Sequence, residues 1–201
     1  MNALRYLAIV LVALCTGPVI AQTLALPSNL VDSRSAEGGK LLIESEANRA
    51  YFPLAANFVT QKNQAFCGVA SMTMVLNAMP GAKPAVPEFE PYHTYTQDNV
   101  LDDSTDTVIA RETILKMGMT LDQIGAVLAL RSVKAEVRHV SDTTMDTFRA
   151  EARAALSTAD HYVIVNYLRK AMGQEKGGHI SPLAAYDEQA ARFLILDLAR
   201  Y

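Results

Sequence analysis

Three apolar runs of strand length lie close together near the end of the chain, at residues 162–168, 180–186 and 192–198. Short turns join them, the clearest at Asp187-Glu188-Gln189, so the runs predict mostly antiparallel pairing. Ahead of them the period changes. Val69, Met72, Thr73, Leu76 and Met79 fall on one helical face, and Pro80-Gly81 ends it. Residues 107–117 and 121–130 read as two further helices, the second capped by Thr120. Residues 135–140 alternate like a strand, after which Ser141-Asp142 opens a helix reaching roughly residue 156. A helical half followed by an antiparallel sheet half predicts an α+β fold and not a doubly wound sheet.

At the other end, Arg5 precedes an apolar stretch at residues 6–14, then Pro18 and small residues up to Ala21. That pattern is a secretory signal cut after Ala21, which places the chain in a bacterial periplasm or outside the cell. The competing reading is a membrane anchor, but the stretch falls well short of the roughly 20 apolar residues that span a bilayer. Lipidation at Cys15 is disfavoured by the bulky Leu14 before it. No stable membrane span is expected after cleavage. The remainder of the 201 residues suffices for one domain with a core. Residues 22–45, with Pro27, Gly38 and Gly39 and little periodicity, read as an arm over a domain at 46–201. The formal net charge of −3 becomes one unit more negative without Arg5, which argues against a nucleic-acid partner. The sequence leaves the oligomeric state open, with a homodimer as one candidate.

Cleavage also removes Cys15, so Cys67 is left without a disulfide partner in an oxidising compartment. Two readings compete: a buried structural thiol, or a nucleophile. The neighbours favour the second. Cys67 opens a helix, whose N-terminal partial charge lowers a thiol pKa, and Gly68 lets a substrate approach the backbone. The Cys67 amide and the side chain of Gln61, six residues upstream, are then candidate oxyanion donors. Of the four histidines, His93, His139 and His161 carry no partner signature. His179 follows Gly177-Gly178 and leads into an apolar strand. Asp197 sits among Phe193, Leu194, Ile195, Leu196 and Leu198, where a carboxylate is costly unless paired, and orienting His179 would pair it. Residues 80–106, with Pro84, Pro87, Pro91 and the acidic Asp98, Asp102, Asp103 and Asp106, form a long loop of the kind that is functional or mobile.

The stretches Gln64-Ala65-Phe66-Cys67-Gly68-Val69-Ala70-Ser71, Val165-Asn166-Tyr167-Leu168-Arg169, Gly177-Gly178-His179-Ile180-Ser181-Pro182 and Ile195-Leu196-Asp197-Leu198-Ala199-Arg200-Tyr201 together resemble phytochelatin synthase, above all the short bacterial forms. The resemblance implies a papain-like cysteine-protease fold with Cys67 as nucleophile, His179 as general base and acid, Asp197 as its orienter and Gln61 as an oxyanion donor. It implies glutathione as substrate: the Cys–Gly amide is attacked, glycine leaves, and γ-glutamylcysteine is held as a thioester. Water then releases it, or a second glutathione takes it toward phytochelatin. No protein-bound cofactor or metal site is implied, because a heavy metal such as Cd or Zn arrives as a glutathione thiolate. Asn166, Arg169 and Gly178 are candidate substrate contacts, although Asn166 and Arg169 read equally well as a polar strand end facing water. Family members continue past the point where this chain stops, so a missing C-terminal part of the sheet and of the γ-glutamyl pocket is expected. Two other readings stand beside this one: a related papain-like peptidase acting on other peptides, and an inactive thiol or metal-binding module.

Overall fold

Every residue from Cys67 to Leu76 is buried, which is more than one helical face can account for. The computed structural model describes residues 25–175 and 177–200, and in it this helix, α3 (Cys67–Ala78), runs through the middle of the molecule. Its apolar residues face two ways. Phe66, Cys67, Val69, Met72 and Leu76 join a core cluster with Val100, Leu101, Ile114, Ile124 and Val127. Ala70, Met74 and Val75 join a second cluster with Leu54, Leu156, Leu183, Tyr186 and Leu198. The polar residues between them are satisfied at short range. Thr73 Oγ1 donates to the Val69 carbonyl at 2.9 Å and Ser71 Oγ to the Ile180 carbonyl at 3.3 Å, so full burial leaves no hydroxyl stranded there.

Six α-helices come first among the described residues: α1 (Ala36–Glu44), α2 (Tyr51–Ala56), α3, α4 (Arg111–Met117), α5 (Leu121–Leu130) and α6 (Met145–Leu156). A three-stranded antiparallel sheet follows, in the order β1 (Val163–Leu168), β2 (Gly178–Asp187), β3 (Arg192–Ile195). The fold is therefore α+β, as the order of patterns predicts. α5 starts where Thr120 marks it, with Thr120 Oγ1 accepting from the Gln123 N–H and Gln123 Oε1 accepting from the Thr120 N–H. That reciprocal pair satisfies two donors which an open helix end would leave to water.

Five local expectations are corrected. The arm at 22–45 contains α1, capped by Ser35, whose side chain accepts from the Gly38 N–H. Gly38 there marks a close approach within the arm, since a Cβ would lie 2.3 Å from the Asp32 carbonyl oxygen. Residues 135–140 form no strand. The segment has no regular structure, is extended at His139, and lies along α5, with Val137 packed into the notch at Gly125 and His139 Nε2 3.0 Å from Asp122. Alternation reports extended backbone, which a helix can face as well as a sheet can. The helix expected from Ser141 starts at Met145, capped by Thr144, after a short 3-10 turn Val140–Asp142. The helix expected at 107–117 is divided into a 3-10 turn Asp103–Thr107 and α4. Finally, β3 stops at Ile195, which leaves Asp197 in the following turn and not inside a strand.

The long loop is tied down at many points. Asn77 holds Tyr95 through both its amide oxygen and its nitrogen, and Gln97 bridges the Thr60 carbonyl and the Lys62 N–H. Three of its four aspartates are engaged as well: Asp98 with Lys62, Asp102 with Arg131, and Asp106 with the Arg111 N–H. The leader assigned to residues 1–21 lies outside the described residues. No helix among the described residues is long and apolar enough to cross a membrane.

Candidate active site

Cys67 is the first residue of α3 and Phe66 is its N-cap. The approach to the helix is a tight turn in which the Ala65 N–H donates to Asn63 Oδ1 and the Phe66 N–H to the Asn63 carbonyl. The helix start leaves N–H groups directed outward at the cysteine. Gly68 has a different role from the one its sequence position suggests. A Cβ at Gly68 would touch Ile124 Cδ1 at 3.0 Å and Met119 Cβ at 3.5 Å, so the missing side chain makes room for α5 and not for a substrate.

From the sheet comes His179, the second residue of β2, 3% exposed and paired across the ladder with Tyr167 of β1. Its Nε2 lies 2.9 Å from Asp197 Oδ1, which leaves Nδ1 to face Cys67. Asp197 Oδ1 also accepts the Ala199 N–H at 2.8 Å. An imidazole hydrogen-bonded to a carboxylate thus stands at the start of α3, close enough to the Cys67 thiol to act on its charge.

Their charges respond accordingly. Burial pushes the Cys67 thiol up, but the hydrogen bond with His179, the Ile180 N–H, the imidazole charge and the Gly68 N–H outweigh it, and the thiol ends below its ordinary value. Burial pulls His179 down, while hydrogen bonds to Asp197 and Cys67 raise it, with a net shift upward. Burial would also raise Asp197. The His179 hydrogen bond, the Ala199 N–H and the nearby cations instead hold it down to about 2. All three shifts favour a thiolate beside an imidazolium beside a carboxylate.

The remaining candidates are placed less simply. Gln61 is tied to the carboxylate turn, because its backbone N–H donates to the Leu198 carbonyl at 3.1 Å. Its side-chain Nε2 donates to the Asn63 carbonyl at 2.8 Å, and its Oε1 is buried with no hydrogen-bond partner among the described residues. Arg169 is not on β1 but opens the 3-10 turn Arg169–Met172, and its buried guanidinium contacts both oxygens of Asp197 and Oε1 of Gln174. Asn166 is exposed on β1 opposite Ile180. Gly178 opens β2 with open space where a Cβ would stand, while the positive φ of 131° belongs to Gly177 before it. The other histidines are exposed, with local contacts: His93 with the Lys83 carbonyl, His139 with Asp122, His161 with the Ala159 carbonyl.

Tyr167 escaped the reading of the sequence. Its ring meets His179 edge-on, with centroids 5.7 Å apart and planes at 88°, and burial followed by the Asp197 charge pushes its phenol up to about 12. The strand register is the signal that would have found it, since it stands directly opposite the histidine. Gln174 was also missed, and nothing in its local sequence marks it. Among the described residues there is no group of three or more His, Cys, Asp or Glu side chains placed to hold a metal ion.

The fold and this geometry define an α+β domain with a candidate thiol–imidazole–carboxylate centre. The chain belongs to the phytochelatin synthase family, whose model matches residues 21–201. It is similar to glutathione gamma-glutamylcysteinyltransferase 1 of Lotus japonicus, with 32% identity over 179 residues, 85% of this chain and 34% of the relative. It is also similar to glutathione gamma-glutamylcysteinyltransferase 1 of Arabidopsis thaliana, 30% identical over 185 residues, 88% of this chain and 36% of that one. Against glutathione gamma-glutamylcysteinyltransferase of Schizosaccharomyces pombe the identity is 28% over 151 residues, 75% of this chain and 35% of the relative. The chain thus spans about a third of the length of these curated relatives.

Proposed function

We propose that this chain is a papain-like glutathione γ-glutamylcysteinyltransferase or peptidase that works through a thioester on Cys67. The observation that carries the reading is the buried His179–Asp197 hydrogen bond beside the Cys67 thiol, in a chain of the phytochelatin synthase family. The Cys67 thiolate attacks the carbonyl carbon of the Cys–Gly amide of glutathione. As the tetrahedral intermediate collapses, the C–N bond breaks and His179 gives its proton to the departing glycine amine. The products are free glycine and γ-glutamylcysteine held as a thioester. His179, now neutral, takes a proton from water or from the amine of a second glutathione, and the acyl group leaves as γ-glutamylcysteine or as a lengthened peptide. Asp197 keeps the imidazole turned and stabilises its charged form.

The Cys67 N–H is one oxyanion donor. Gln61 becomes the second when its amide turns from the Asn63 carbonyl toward the substrate, a movement that also gives its buried Oε1 new surroundings. Asn166 and Gly178, at the open side of the hairpin, contact the substrate backbone. Cd or Zn enters as a glutathione thiolate and is part of the substrate. A leader ending near Ala21 would deliver the domain to the periplasm or beyond.

The test is incubation of the purified chain with glutathione, following glycine and intact protein mass. Glycine release with a γ-glutamylcysteinyl adduct on Cys67, both absent in Cys67→Ala, supports the reading. Folded protein that releases no glycine refutes it.

A further inference from the structure

We propose that Arg169 is a positioning residue whose guanidinium grips both oxygens of Asp197 and so fixes the carboxylate that orients His179. The inference rests on the thiol chemistry proposed above and gives that site a further working part. Asp197 needs such a hold because the sheet does not supply one. β3 ends at Ile195, the Leu196 N–H still reaches the Pro182 carbonyl at 3.0 Å, and Asp197 then stands in a turn. Its Oδ1 takes His179 Nε2 and the Ala199 N–H. A carboxylate held at one oxygen can rotate about its Cβ–Cγ bond. Arg169 closes that freedom, with its two terminal nitrogens on Oδ2 and Oδ1, each at 3.2 Å. A planar fork on a planar carboxylate fixes orientation as well as distance.

The guanidinium is itself held. Its NH1 donates to Gln174 Oε1 at 3.0 Å, and the turn that carries it is closed by the Gln174 N–H on the Arg169 carbonyl and the Arg169 N–H on the Gly177 carbonyl. Gly173 completes that turn at φ 77°, where a Cβ would meet Pro27 of the N-terminal arm at 3.1 Å. Only 11% of the Arg169 side chain and 19% of the Asp197 side chain are exposed, so solvent screens the pair weakly. Among the described residues, the charged and titratable groups that act on His179 are Asp197, Cys67 and Arg169, with the ring of Tyr167 against its edge.

A substrate-carboxylate contact and a positioning role predict different failures. Losing the first raises KM, and losing the second lowers kcat and moves the Cys67 pH profile. The experiment compares the parent chain with Arg169→Gln, Arg169→Lys and Gln174→Ala. Two readouts are taken: glycine release from glutathione, and iodoacetamide alkylation against pH, followed on the Cys67 peptide by mass spectrometry. For Arg169→Gln, kcat is expected to fall about tenfold to a hundredfold at a KM within about twofold. The alkylation midpoint is expected to move up toward that of an ordinary thiol. Arg169→Lys keeps the charge without the fork and should restore part of both. Gln174→Ala, which leaves the ion pair in place, should show a smaller loss of the same kind and decides the matter if Arg169→Gln fails to fold.

A raised KM at unchanged kcat, or an alkylation midpoint that stays or moves down in all three variants, overturns the proposal. The alkylation comparison needs no glutathione. A parent chain that releases no glycine therefore defeats the functional reading and leaves the role of Arg169 to be decided by the midpoints alone.

Discussion

The helix-side core and the sheet-side core are built from different kinds of neighbour. The first draws on residues from Phe66 to Leu128, with Ile180 reaching in from the sheet. The second joins Ala47, Ala50 and Leu54 to Ala152, Leu156 and residues as late as Leu198. Cys67 belongs to the first, while His179 and Asp197 ride on the strands and turn that close the second. The candidate nucleophile is packed mostly by residues from its own half of the chain; the candidate base and its carboxylate come from far along the sequence. Among the described residues, α3 is the one helix whose buried residues belong to both cores, so neither half can loosen without disturbing the other.

The sharpest test of that division removes chemistry from one side and leaves packing alone. Cys67→Ala should reduce glycine release by at least about a thousandfold while the denaturant midpoint moves little, as measured by urea unfolding. On the sheet side, Asp197→Asn should cost about a hundredfold to ten-thousandfold in kcat. Asp197 raises the His179 pKa, so its removal lowers it, and the alkaline limb of the pH–rate profile should move to lower pH. The stability that Asp197 itself contributes is present above the ordinary carboxylate range and is lost as pH falls toward about 2. Urea titrations of the parent should show that acid loss, and Asp197→Asn should lack most of it.

Packing changes come next in size. Ile114→Ala on the helix side and Leu156→Ala on the sheet side each remove a fully buried side chain and should each cost about 2–5 kcal/mol. Because α3 serves both cores, each variant should still unfold in one transition by circular dichroism and by tyrosine fluorescence. Two separate transitions would mean that the two cores are independent units. The smallest effect is expected at Thr120→Ala, which dissolves the capping box of α5 and should cost about 1 kcal/mol with kcat unchanged.

The contrast between the halves also explains what could be read from the sequence. α3 and α5 were legible because their signals are local: a periodic face, a Pro-Gly stop, and Thr120 with Gln123 three residues on. The hairpin was legible because strand runs and a polar turn are local as well. Missed or misplaced features depend on what lies across from a residue. Val137 alternates because it faces Gly125 of a helix, and Gly38 is small because the Asp32 carbonyl is close. Asp197 was recognisable as a carboxylate among apolar neighbours in need of a partner. Its second partner, Arg169, and the end of β3 before it depend on a register that no local pattern carries.

The backbone bond from the Gln61 N–H to the Leu198 carbonyl has a consequence for how the chain comes to life. It joins the segment before the thiol to the turn carrying the carboxylate, across most of the described sequence. Contacts of that span close the largest loops and bear the greatest entropic cost of assembly. Until that loop is closed, Cys67 lacks the imidazole and carboxylate that lower its pKa, so the charge state of the thiol is tied to closure of the whole chain.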